Sequence, residues 1–343
     1  MRALVKTENG PGRLSLQDRP IPVIQPDEVL VRVHSCGICG TDLKILAGSF
    51  TCDTPVIIGH EFAGVIAACG PAVRDYQPGQ RVIAEQHFES CGTCAFCLQG
   101  NRHWCSRKRS PGYRRDGAFA EFIAVRQDLL HRIPAAITFE QACLVEPMGI
   151  AAYAILEKTG IQPEETVLIL GCGPIALLAL QMVRSAGAAR VFVTGLDSDA
   201  RNRFTLARRF GAAATLNAQH GDIIQSLQEL TDGRGVDVAI DLTGSPAAII
   251  QGLQALRKGG RFTAIGLPHD AVPLPWSDLI FQAIRIDFSY SANALSWQRC
   301  LSLIERGAVD LAEFTQAVYP LEDWEKGFTA AQSGDALKVI LRL

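Results

Sequence analysis

"TVLILGCGPIA" (Thr166–Ala176) decides the fold of this chain. A run of β-formers, Thr166–Leu170, enters G-x-G-x-x-A, and a helical stretch "LLALQMVRSAGA" and a second strand "RVFVTG" (Arg190–Gly195) follow. Gly171 and Gly173 permit a tight turn and close approach of a pyrophosphate. Pro174 and Ile175 then open a helix whose N-terminal N–H groups and dipole favour an anion. A plain glycine-rich strand-to-helix turn would read the same way if nothing followed. The longer run to Val183 is apolar enough to pass a hydropathy window, but its glycines and Pro174 fall where a strand turns into a helix. A buried strand–turn–helix is therefore expected, not a membrane span.

Further alternation follows downstream. "VDVAIDLTG" (Val236–Gly244) reads as a strand, and a helix runs to about Leu256. "GGRFTAIG" (Gly259–Gly266) and "IRIDFSYSA" (Ile284–Ala292) are further strands. Repeated βα units with glycine-terminated apolar strands make an α/β, doubly wound parallel sheet.

At 343 residues, 48% hydrophobic and 20% charged, the chain is long enough for two domains with substantial cores. A net charge of -2 gives no basic field for nucleic acid and no acidic tail, so neither nucleic acid nor membrane is an expected partner. "MRALVKTENGPGRLSL" lacks an apolar signal core, and a cytoplasmic protein is expected.

Two groups of potential metal ligands precede the glycine turn. "CGTCAFCLQGNRHWC" places Cys91, Cys94, Cys97 and Cys105 at C-x2-C-x2-C-x7-C. A reducing compartment disfavours disulfides, and two-residue spacings let thiolates converge on one zinc ion. Four ligands from one loop leave no open position, so the site would be structural. Ordinary buried cysteines and a redox C-x-x-C are the alternatives. The second group is dispersed. "EVLVRVHSC" (Glu28–Cys36) alternates as a half-buried strand and runs into "CGICGTD" (Cys36–Asp42). "GHEFAG" (Gly59–Gly64) and "LVEPMG" (Leu144–Gly149) lie further on. Singly these are weak, a core cysteine or a polar loop. Together Cys39, His60, and Glu61 or Glu146 offer three protein ligands, the arrangement of catalytic zinc.

In this order the motifs resemble the zinc-dependent medium-chain dehydrogenases, especially their polyol (sorbitol-like) and threonine branch, over nearly the whole chain. The resemblance implies a mainly β, GroES-like catalytic domain of residues 1–151 and 293–343, with a Rossmann cofactor domain of 152–292 inserted. It implies two zinc ions per chain. Cys39 would be the thiolate and His60 the imidazole ligand of the catalytic zinc, with Glu61 and Glu146 sharing the remaining ligation. That zinc would act as Lewis acid on a substrate hydroxyl while hydride leaves for nicotinamide, and Thr41 would begin proton removal. Lys44 stands where many relatives carry a relay histidine; it reads as a solvated charge, with the proton leaving by water. His87 reads equally as a substrate contact or a loop histidine. A secondary alcohol on a polyol, sugar or sugar acid is the expected substrate, with Glu146-Pro147 as the polyol-like mark. Threonine or another amino alcohol is the alternative, and a cofactor-binding regulator without turnover is the non-enzyme reading. Arg114 and Arg115 are candidates for a phosphate or carboxylate, or a surface charge pair. Relatives pair the edge strand "IRIDFSYSA" across a two-fold axis, so a homodimer or homotetramer is expected.

Cofactor choice gives conflicting signs. An acidic side chain about twenty residues after the glycine turn would bind the ribose of NAD, but Gly195 occupies that place in "VFVTGLDSDARNRF". Counting from the following helix puts the slot near Ser198, where Asp197 or Asp199 would repel a 2′-phosphate and Arg201 or Arg203 would attract one. NAD is the expectation, NADP the alternative.

Overall fold

The computed structural model describes residues 1–343, which form two compact units. The second unit comprises Met148–Ala292 and Gly307–Val309. Its six strands lie in the order Ala214–Asn217, Arg190–Gly195, Thr166–Leu170, Val236–Asp241, Leu256–Ala264, Arg285–Phe288. Every pairing is parallel. All residues of Thr166–Leu170 and Val236–Asp241 are buried. Burial on both faces suits parallel strands covered by helices, and it takes in even Asp237 and Asp241, which find partners in Thr166, Arg257 and Thr243. The strand order reverses between these two strands, which opens the crevice where doubly wound sheets bind ligands. Helix Pro174–Ser185 starts there, with Gly173 as N-cap and proline in its first turn. The candidate membrane stretch is therefore this strand, turn and helix. No helix is long and apolar enough to cross a membrane.

The first unit comprises Met1–Pro147, Asn293–Arg306 and Asp310–Leu343. The first break between the units falls inside helix Val145–Ala152, and residues 307–309 group with the second unit. Strand Glu28–Gly37 organises its main sheet by pairing antiparallel with Glu61–Cys69, Phe122–Arg126 and the C-terminal Val339–Arg342. Its inward residues Val29, Val31 and Val33 join Phe62, Phe119 and Phe328 in one core. This register sets Gly37 opposite both Glu61 and Ile340. Arg2–Lys6 pairs with Leu14–Asp18 and with Val56–Ile57, shortly before His60.

Candidate functional site

The sheet register and one short helix bring the dispersed ligands together. Helix Gly40–Ala47 leaves the end of strand Glu28–Gly37 with Cys39 as its N-cap, and the Asp42 carboxylate accepts the Cys39 N–H at 2.8 Å. Glu61 begins the neighbouring strand, and His60 immediately precedes it. One donor atom each from Cys39, His60 and Glu61 lie within 4.8 Å of one another, and both His60 and Glu61 are buried. Asp42 Oδ1 lies 3.8 Å from His60 Nδ1, beyond hydrogen-bond distance but close enough for its charge to act on the imidazole. Glu61 is ion-paired with Lys338, the residue just before the C-terminal strand. Glu146 is buried but lies outside the group of three.

The electrostatics show what these residues fit. Burial pushes Glu146 up to about 7, and Glu61 adds to the shift against opposition from His60. Burial likewise raises Asp42. His60 rises well above its ordinary value although burial opposes it, because Asp42 and Cys39 favour imidazolium. One cysteine sulfur and three carboxyl groups therefore crowd one imidazole, with a single lysine, Lys338, among them. A divalent cation would satisfy such a set, and sulfur, imidazole and carboxylate are the donor types zinc takes.

The four-cysteine loop passes a geometric test. Tetrahedral zinc with bonds of about 2.3 Å has sulfur–sulfur edges of about 3.8 Å. Cys91 Sγ and Cys97 Sγ are 3.8 Å apart, and all four sulfurs lie within 4.8 Å. Backbone N–H groups point at sulfur as they would at thiolates: Cys94 N–H donates to Cys91 Sγ at 3.3 Å and Cys91 N–H to Cys105 Sγ at 3.4 Å. Donation from Thr93 and Cys94 pulls the Cys91 thiol down to about 5. All eleven cysteines are free of disulfides.

At the cofactor end, Gly171 has φ +101°, and a Cβ there would lie 2.9 Å from Thr243 Cγ2. Its N–H donates to Thr194 Oγ1 at 3.2 Å. Gly195 closes the second strand with no room for a side chain: a Cβ would lie 2.6 Å from Phe204 Cε1 and 2.9 Å from Asp199 Oδ2. Asp199 is buried, accepting from Leu196 N–H at 2.9 Å and Arg203 at 3.0 Å. Asp197 and Ser198 are exposed. Asn217 and His220 each donate to Asp197 Oδ1 at 2.7 Å and hold its carboxyl below the usual range.

The remaining candidates fall as follows. Thr41 and Lys44 are half-buried on helix Gly40–Ala47. His87 is buried, with Nε2 3.6 Å from Glu85 Oε2. Arg114 is paired with Asp53, and Arg115 with Glu28 and Glu89, so both already have carboxylate partners. Sequence reasoning missed three neighbours of the metal ligands. Asp42 stood inside the quoted "CGICGTD" but carried no signal of its direction. Lys338 and Gln86, whose amide donates to His60 O at 2.6 Å, are distant in sequence from the groups they touch.

A doubly wound dinucleotide fold in one unit, with one closed and one open zinc donor set in the other, defines an NAD(P)-dependent zinc oxidoreductase. Residues 25–135 match the alcohol dehydrogenase GroES-like domain, and residues 174–306 match the zinc-binding dehydrogenase family. The chain is 34% identical to a sorbitol dehydrogenase of Halalkalibacterium halodurans, over 99% of each chain. It is 36% identical to an L-threonine 3-dehydrogenase of Bacillus velezensis, over 99% of this chain and 98% of that one. A solved structure described as a zinc-binding dehydrogenase of Sinorhizobium meliloti bound to NADP superposes with a TM-score of 0.92 at 29% identity, covering 100% of this chain and 99% of that one. The chain belongs to the zinc-dependent medium-chain dehydrogenases, in the polyol and threonine dehydrogenase branch.

Proposed function

We propose that the protein oxidises a secondary alcohol of a neutral polyol or sugar, with Cys39, His60 and Glu61 holding the catalytic metal and Cys91, Cys94, Cys97 and Cys105 the structural one. When bound, zinc supplies Lewis-acid polarisation of the hydroxyl, and the nicotinamide accepts hydride. The chain's residues supply the setting. Asp42 holds the Cys39 backbone and lies beside His60, Lys338 pairs with Glu61, and Glu146 supplies a buried carboxyl group that would exchange with water as a ligand. Thr41, two residues after Cys39, would accept the substrate hydroxyl's proton while its own hydroxyl proton passes to water, since Lys44 stands where many relatives carry a relay histidine.

The observation that carries the substrate class is the pairing of cations. Arg114, Arg115 and Lys338 are all matched to carboxylates, which leaves them poorly suited to a substrate's carboxylate or phosphate. The half-buried Lys44, on the helix of Cys39 and Thr41, favours the second reading, a threonine 3-dehydrogenase-like enzyme whose substrate carboxylate it would take. Nicotinamide absorbance against polyols, sugar acids, sugar phosphates and L-threonine tests both. A kcat/KM for threonine above that for every polyol would overturn the first.

For the cofactor, Asp197 supports NAD: it is ionised, exposed, and two residues beyond the second strand, where its charge repels a 2′-phosphate. A higher kcat/KM for NADP+ than for NAD+ would show that the exposed Arg201 governs the choice instead. Assembly is proposed through the outer strand Arg285–Phe288, which has one unpaired edge. Exposed Phe281, Phe288 and Tyr290 lie close to it in sequence, and Phe288 and Tyr290 line an apolar hollow of about 300 Å³. Light scattering should report a dimer or tetramer; a monomer at micromolar concentration refutes it.

A further inference from the structure

Among the largest fully buried side chains is a lysine. Lys6 ends the N-terminal strand, and its Nζ donates to the carbonyls of Gly10, Gly12 (2.6 Å) and Ile45 (3.0 Å), which uses all three of its protons. A buried ammonium is tolerated only with such partners, so this one is committed to the place it occupies. Ile45 lies in the last turn of helix Gly40–Ala47, where the dipole is negative, and its carbonyl accepts from both Lys6 and the Gly48 N–H (3.1 Å).

We infer that Lys6 is a positioning residue for the Cys39–His60–Glu61 site, clamping the far end of the helix that carries Cys39, Thr41 and Asp42. The rest of the clamp is backbone. Gly12 N–H donates to Leu46 O at 2.7 Å and Ser49 N–H to Lys44 O at 3.0 Å. Gly48 caps the helix at φ +77° so closely that a Cβ there would lie 2.5 Å from Gly10 C and Pro11 N. The other end is tied by Asp42 to Cys39 N and faces His60. Eight residues make a rod of about 12 Å, too short to absorb a displacement by bending. The strand of Lys6 also holds the segment before His60, through Val5 opposite Ile57 and Ile58 N–H to Leu4 O at 3.2 Å. Lys6 therefore stands where the element supplying Cys39 meets the element supplying His60, and it fixes the spacing of two ligands that share no local contact in sequence.

This inference rests on the reading of Cys39, His60 and Glu61 as a metal site. The experiment measures zinc release to EDTA alongside steady-state kinetics in the full-length zinc-loaded enzyme. Lys6→Met should release one of two zinc ions about tenfold faster than wild type, a loss on the scale of removing a ligand's supporting partner. The other ion should leave at the wild-type rate. kcat should fall while KM for the dinucleotide, bound by the second unit, stays unchanged. Gly48→Ala pushes on the same clamp from outside and should reproduce the pattern, which keeps the inference testable if Lys6→Met fails to fold. Val125→Ala, in the core of the same unit on strand Phe122–Arg126, is the control for general loosening. Unchanged zinc release in the clamp variants, or the same acceleration in Val125→Ala at equal loss of Tm, overturns the inference. Fewer than two zinc ions in the wild type would instead strike at the metal-site reading itself.

Discussion

Replacing Cys94 by serine tests the closed site most directly. Beyond the sulfurs, the loop around it is held by the Arg102–Asp128 ion pair and by half-buried Trp104 against Phe96 and buried His103. Phe96 and Leu98 are 45% and 75% exposed, while Cys97 and Cys105 are buried. Four sulfurs within 4.8 Å, with an edge of 3.8 Å that matches tetrahedral zinc, make the metal the effective core of the loop. Structural zinc contributes about 10–16 kcal/mol of apparent binding free energy in small zinc domains, far more than this loop's few apolar contacts. Cys94→Ser should therefore leave about one zinc per chain instead of two and free residues 91–105 locally. Paired N–H and C=O groups of Glu89 and Arg109 (3.0 and 3.2 Å) close the base of the loop, so the remainder of the unit should stay folded. Metal analysis combined with amide hydrogen exchange resolves both effects. Two zinc ions retained in the variant, or wild-type protection across 91–105, would refute the reasoning.

Three further outcomes are expected. Cys39→Ala or His60→Ala should nearly abolish turnover with dinucleotide affinity intact, since the glycine turn belongs to the other unit; Glu146→Ala should be milder, and a loss as severe as for Cys39→Ala would mark Glu146 as a permanent ligand. Gly171→Ala should cost about 1–3 kcal/mol in thermal unfolding for its backbone conformation alone, and its methyl against Thr243 should weaken dinucleotide binding; unchanged affinity in fluorescence titration contradicts the assigned cofactor turn. Asp237 is buried, and although burial raises its pKa, Arg257, the Thr166 N–H and Arg234 hold it below the ordinary aspartate range. Its folded value is depressed, so its stabilisation is complete above the unfolded value of about 3.9 and fades as pH falls through the folded one. The Tm gap between wild type and Asp237→Asn should shrink below about pH 4; a gap constant into acid would refute it.

Much of this is legible in the amino-acid sequence alone. Strand, turn and helix at Thr166–Ser185 follow from β-branched and apolar residues interrupted by glycines at fixed spacing, signals that act over a few residues. The cysteine loop is local in the same way, because all four ligands fall within fifteen residues of chain. The dispersed site was legible only as a set of candidates. Cys39, His60 and Glu61 meet because Gly37 is opposite Glu61 in the sheet, while Glu146, equally acidic and equally close to a motif, lies outside the trio. Register is a long-range property: a slip of one residue moves every side chain to the other face, and no local pattern reports it. The same reason hid Lys338, which reaches Glu61 through the pairing of the last strand with Cys36 and Gly37. Distance along the chain likewise hid the Ile45 acceptor of Lys6 and the carboxylates facing Arg114 and Arg115. Residue type and spacing thus determined which groups were available for chemistry; pairing across the sheet decided which of them meet, because burying charge requires a partner that only the folded chain can bring.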